Sequence, residues 1–110
     1  MKVDYKTKKL KKSLTTDKEL LLNYGNRAKR IKQRINQLKS AENLLVIQNI
    51  TNLRLHQHVA KGKGTWSIDI QENWRILFKI DCDCIPTLPS GGVDMKNIKA
   101  IKITSIEDPH

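Results

Sequence analysis

The chain has 110 residues, 38% hydrophobic and 29% charged, and a formal net charge of +10. That length suits one domain, residues 1–110, and the composition is that of a globular protein rather than a disordered one. Its longest apolar runs, Leu20-Leu21-Leu22 and Leu44-Leu45-Val46-Ile47, fall far short of the roughly 18 residues a membrane span needs. The lysine-rich start has no apolar segment behind it, so no secretory signal is expected and the reading is a cytoplasmic protein with no membrane partner.

The charge is unevenly spread. Residues 1–40 carry 13 of the 21 Lys and Arg but three of the 11 acids, Asp4, Asp17 and Glu19, whereas residues 41–110 balance eight against eight. The whole net charge therefore belongs to the first third of the chain, a field that attracts a polyanion, nucleic acid before a membrane surface. Lys8, Lys9, Lys11, Lys12, Arg27, Arg30 and Arg34 are the N-terminal candidates for holding RNA. The bland counterpart is a solvated helix surface kept soluble by its lysines.

In chain order, residues 6–14 read as helix, with Leu10 and Leu14 one turn apart. Thr16-Asp17-Lys18-Glu19 is a capping-box pattern that opens a short helix over residues 17–24, and Gly25 is suited to end it. From Asn26 a longer helix carries Ala28, Ile31, Ile35 and Leu38 in one narrow stripe, with Arg27, Lys29, Arg30, Lys32 and Arg34 around the rest of its circumference. Residues 43–50 suggest a helical turn. From Leu53 the period becomes two, through Leu53-Arg54-Leu55-His56 and the basic turn Lys61-Gly62-Lys63-Gly64. Trp66, Ile68 and Ile70 alternate, Gln71-Glu72-Asn73 connects a hairpin, and Trp74, Ile76, Phe78 and Ile80 alternate again. Residues 81–96 contain Pro86, Pro89, Gly91 and Gly92 and read as a surface loop, and a last strand is expected over about residues 98–106. Helices followed by strands predict an α+β fold, N-terminal helices packed on a small, mainly antiparallel twisted sheet.

Motifs for nucleotide-driven or zinc-hydrolytic chemistry are missing from the sequence. Cys82-Asp83-Cys84 is too sparse for a disulfide framework or a metal site and reads as two reduced thiols in an exposed loop, so no metal or other cofactor is expected. What remains is a set of histidines and cations. Cleaving RNA without a metal needs a base for the 2′-OH proton, an acid for the leaving 5′ oxygen, and cations for the charge that builds on phosphorus oxygens. Imidazole serves as either acid or base near neutral pH, and Arg75 in mid-strand offers a planar fork for a phosphate. Alternation puts His56 and His58 on one face, and packing alone decides which meets a site. A lone strand histidine is otherwise more often structural or surface than catalytic.

Arg54-Leu55-His56, the basic turn, Gly64-Thr65-Trp66-Ser67-Ile68, Asn73-Trp74-Arg75-Ile76-Leu77-Phe78 and the terminal Ile106-Glu107-Asp108-Pro109-His110 together resemble the HigB branch of the RelE/ParE toxin superfamily. The run from Tyr24 to Arg34 is similar too, so the resemblance covers roughly residues 20–110. It implies a RelE-like fold and a toxin that enters the ribosomal A site, cuts mRNA there, and is neutralised by a cognate, HigA-like antitoxin. It also implies roles: His56 for catalysis, Arg75 for the scissile phosphate, and Asp108 and His110 for the C-terminal motif, His110 pairing with His56 as acid and base.

Two positions depart from the family pattern. Pro109 stands where the motif usually carries a tyrosine, and the basic loop places Lys61 and Lys63 one residue from the usual cations. These departures define the first rival, a catalytically degenerate relative that binds RNA or the ribosome through charge. The second is a ParE-like toxin that inhibits DNA gyrase by protein contact and needs no His-and-Arg constellation.

Overall fold

A computed structural model of the protein describes residues 1–58 and 64–108. The chain opens on a strand, β1 (Lys2–Tyr5), that the sequence does not announce, because four residues are too few to show a period. Its partner lies at the other end of the chain: β1 runs parallel to β5 (Ala100–Glu107), from Lys2 opposite Ala100 to Tyr5 opposite Ile103. The Met1 ammonium donates to the carbonyls of Lys39, at 2.9 Å, and Ala41, a cation at the C-terminal end of a helix where the peptide dipoles favour it.

Helix α1 (Lys8–Thr15) starts where the Thr7 side chain accepts from Leu10 N–H at 3.0 Å. Thr16 ends it and caps α2 (Asp17–Tyr24) by accepting from Glu19 N–H at 3.2 Å, so one residue both stops and starts a helix. The Glu19 carboxylate accepts from the Asn23 amide one turn on. Gly25 ends α2 at φ +57°, a value few side chains tolerate. A short turn over Gly25–Arg27 then leads into α3 (Ala28–Ser40). Ile31, Ile35 and Leu38 of α3 are buried, each contributing about 1.5–3 kcal/mol. Asn43 caps α4 (Leu44–Gln48) by accepting from Val46 N–H at 3.2 Å.

The expected strand from Leu53 is mostly absent. Thr51–Leu53 makes a tight helical turn that drops Leu53 into the core, and Arg54 takes the left-handed conformation at φ +50°. Among the described residues of this stretch only His56–Gln57 remains as strand, β2. The alternation of Leu53 and Leu55 came from a turn and not a pleat. β3 (Thr65–Gln71) and β4 (Trp74–Ile80) form the expected hairpin, and residues 81–99 lead to β5 through an isolated bridge between Thr87 and Val93 and a turn at Met95–Asn97.

The five strands lie in the order β1-β5-β4-β3-β2, with β1–β5 the one parallel pair among them. The fold is α+β, helices against a small sheet that is mixed but mainly antiparallel. Ile68, Ile76, Phe78, Ile101 and Ile103 share one core with Leu14, Leu20, Ile31, Leu38, Leu44 and Ile47. Residues of the opposite parity, Ser67, Asp69, Arg75, Lys79 and Lys102, lie outside that core on the sheet's other face. This second face, the open face, carries these charges beside the buried Thr65, Ser67 and Leu77.

Candidate functional site

The β3–β4 hairpin sets Asp69 directly opposite Arg75, and cross-strand partners present their side chains to the same face. Arg75 Nε lies 3.6 Å from one Asp69 carboxylate oxygen, and Arg54 Nε lies 3.5 Å from the other. Both separations exceed a hydrogen bond, so the carboxylate orients the two guanidiniums without consuming their donors. The Arg75 side chain is 32% exposed and that of Arg54 77%: the strand holds Arg75 in place, and Arg54 reaches over from its left-handed turn. Arg54, Leu55, His56, Asp69 and Arg75 line a hollow of about 250 Å³. One carboxylate between two cations leaves that hollow with a net positive charge suited to a phosphate.

His56 pairs with Ser67 across β2 and β3. Its ring meets the His58 ring edge-on, with centroids 4.9 Å apart and planes at 85°. His58 Nε2 is 2.7 Å from Ser67 Oγ, and Ser67 is fully buried. The two histidines therefore part company: His56 is exposed and lines the hollow, while His58 is half-buried behind it. Glu107 is the β5 partner of Arg75. Asp108 follows it at the exposed end of the strand, the same end of the sheet as the hollow. His110, Lys61 and Lys63 lie outside the described residues.

Among the N-terminal candidates, Lys8, Lys9, Lys11 and Lys12 are exposed on α1, and Arg30 is exposed on α3. Lys9 and Lys12 border a groove of about 530 Å³ whose other wall is Thr104, Ser105 and Ile106 of β5. Two arginines correct the expectation of a uniformly solvated basic face. Arg34 is only 5% exposed; its Nε donates to the Asp69 carbonyl at 2.9 Å and its Nη1 to Gln37 Oε1 at 2.9 Å. It sits three residues after Ile31, inside the buried stripe, and braces the strand that carries Asp69 instead of meeting RNA. Burial lowers its pKa, the neighbouring Arg30 charge lowers it further, and Asp69 acts in the opposite sense. Arg27 is half-buried, with its guanidinium 4.5 Å above the Trp74 ring, an anchor between helix and hairpin.

Asp69 and Arg54 were not singled out in the sequence. Counting back across the hairpin from Arg75 identifies Asp69, whereas Arg54 reaches the hollow through a turn that no periodicity announces. Cys82 and Cys84 are free and exposed, and Cys82 Sγ lies 3.4 Å from the Cys84 carbonyl oxygen. Among the described residues no helix is long and apolar enough to cross a membrane. Compared with known proteins, the chain matches no protein-family model and no curated protein.

Proposed function

We propose that the protein is a ribosome-dependent mRNA endonuclease, the toxin of a type II toxin–antitoxin pair on the HigB branch of the RelE/ParE superfamily. The observation that carries this reading is the convergence of His56, Arg75 and Arg54 on one positively charged hollow of the open face. In the reaction, the 2′ oxygen loses its proton to a base and bonds to the neighbouring phosphorus. The bond to the 5′ oxygen breaks as an acid returns a proton to it, leaving a cyclic phosphate and a 5′-hydroxyl. His56 serves one of these proton transfers, and Arg75 offsets the charge on the non-bridging oxygens. His110 is the second proton carrier, and Asp108 completes the C-terminal part of the site.

A site with few strong bases gains most from a substrate already oriented, which the ribosome supplies. The lysines of α1 contact ribosomal RNA, mRNA lies on the open face, and a HigA-like antitoxin in the same cytoplasm neutralises the toxin. No cofactor enters these steps.

The test is mRNA integrity by primer extension in a translation extract, with and without ribosomes. Cuts that require ribosomes are expected, falling by about 10²–10³ in Arg75→Ala and by a comparable factor in His56→Ala, each variant keeping a native circular dichroism spectrum. Intact mRNA with the unaltered protein overturns the reading.

A further inference from the structure

The open face carries a second hollow, of about 470 Å³, into which three lysines converge: Lys6, Lys79 and Lys102. Lys79 and Lys102 are direct cross-strand partners on β4 and β5. Like charges in that relation destabilise a sheet. Lys6 arrives from beyond β1, where its N–H donates to the Ile103 carbonyl at 2.8 Å, and adds a third cation beside the pair. None of the three ammoniums makes an ion pair or hydrogen bond with a described residue. Glu107, the acid on the rim, faces Arg75 across the strands and accepts from the Ser105 hydroxyl.

The backbone around these lysines is also irregular. The β4–β5 register slips between Leu77 and Phe78, so that Thr104 is an extra residue on β5. Such a bulge re-aims side chains, and here Thr104 and Ser105 both line the hollow, with Leu77 as an apolar floor. A repulsive lysine pair kept on a sheet and joined by a third lysine breaks the local rules of sheet stability in a way typical of a binding site.

We propose that Lys6, Lys79 and Lys102 form a phosphate subsite that holds the RNA backbone at a nucleotide other than the one cleaved. The ligand rests on the RNA-cleavage reading. Position favours a nucleic-acid strand. Lys79 is four residues from Arg75 on the same strand and face, about 13 Å at the usual strand rise, so a backbone laid along β4 meets both sites with different phosphates. Beyond the subsite the track continues, because Thr104 and Ser105 also wall the groove of Lys9 and Lys12.

The experiment measures binding of a labelled 2′-O-methyl oligouridylate, which cannot be cleaved, by fluorescence anisotropy across a salt series. Lys79→Gln/Lys102→Gln is expected to flatten the plot of log affinity against log salt by about 0.7 for each phosphate no longer neutralised. Without RNA, its melting temperature in low salt should be no lower than that of the unaltered protein, since the repulsive pair is gone. Should the double variant fold poorly, Lys102→Gln alone gives the same readout. An unchanged slope overturns the subsite, and so does displacement of the oligonucleotide by polyglutamate of equal charge, which would mark a dock for acidic protein. Cleavage in the translation extract is scored separately. A flattened slope with no mRNA cutting by the unaltered protein keeps the subsite and removes the nuclease reading; cutting with an unchanged slope does the reverse.

Discussion

The two faces of β4 are made from alternate residues of one seven-residue strand, and they are built on opposite principles. Ile76, Phe78 and Ile80 point into the helices and are buried, while Arg75 and Lys79 point the other way, toward Asp69 and Lys102. On the core face every neighbour adds burial, so each side chain favours the fold. On the open face a loose Asp69–Arg75 contact stands a few residues from a repulsive lysine pair. Stability is supplied mainly by the core face, which frees the other to hold charges in arrangements that folding alone would not favour.

The largest effect that separates the faces is expected from Phe78→Ala. It should lower unfolding free energy by about 3–5 kcal/mol, measured by urea denaturation, whereas Arg75→Ala should change it by less than about 1 kcal/mol. Equal losses would show that the open face also holds the fold together. A sharper division comes from Asp69→Asn. Removing the carboxylate takes a negative charge from the hollow and frees both arginines, so oligonucleotide binding should tighten while the cleavage rate falls about tenfold as Arg75 loses its alignment. Binding and rate that move together would make Asp69 a mere electrostatic neighbour.

The smallest effect lies on the edge strand β1, at Tyr5. Its hydroxyl is buried without a hydrogen-bond partner among the described residues, and burial, then Asp4, raises its pKa. An acid whose pKa is higher in the folded state contributes fully below its unfolded value, near 10, and that contribution is lost as pH rises above it. Tyr5→Phe should therefore flatten the alkaline decline in melting temperature above about pH 10 and cost nothing at neutrality, because no hydrogen bond is broken. A variant less stable at pH 7 would show that the hydroxyl has a partner.

Local order was legible wherever the signal was local. Thr16 caps α2, Gly25 ends it, and the β3–β4 hairpin follows its alternation, because caps and turns act over a few residues. Arg34 was misplaced for an equally physical reason: periodicity marks which side of a helix is buried but not how wide the buried stripe is, and an arginine within it can satisfy its donors on Asp69 and Gln37. Of the candidate site, Arg75 was legible from residue type and its place in the strand, whereas spacing left His56 level with His58 and only the family resemblance singled it out. Asp69 required the hairpin register, and Arg54 required the left-handed turn.

By itself the sequence determined the α+β class, the basic first third, the helix boundaries and the parity of β3 and β4, since these follow from spacing along the chain. Tertiary structure decided the parallel pairing of β1 with β5, the meeting of Arg54 with Asp69, the choice of His56 over His58 for the hollow, and the facing of Lys79 by Lys102. Each of these joins residues far apart in the chain or depends on a register, and only packing, which weighs burial and hydrogen bonding over the whole molecule at once, selects among the registers that local propensity leaves open.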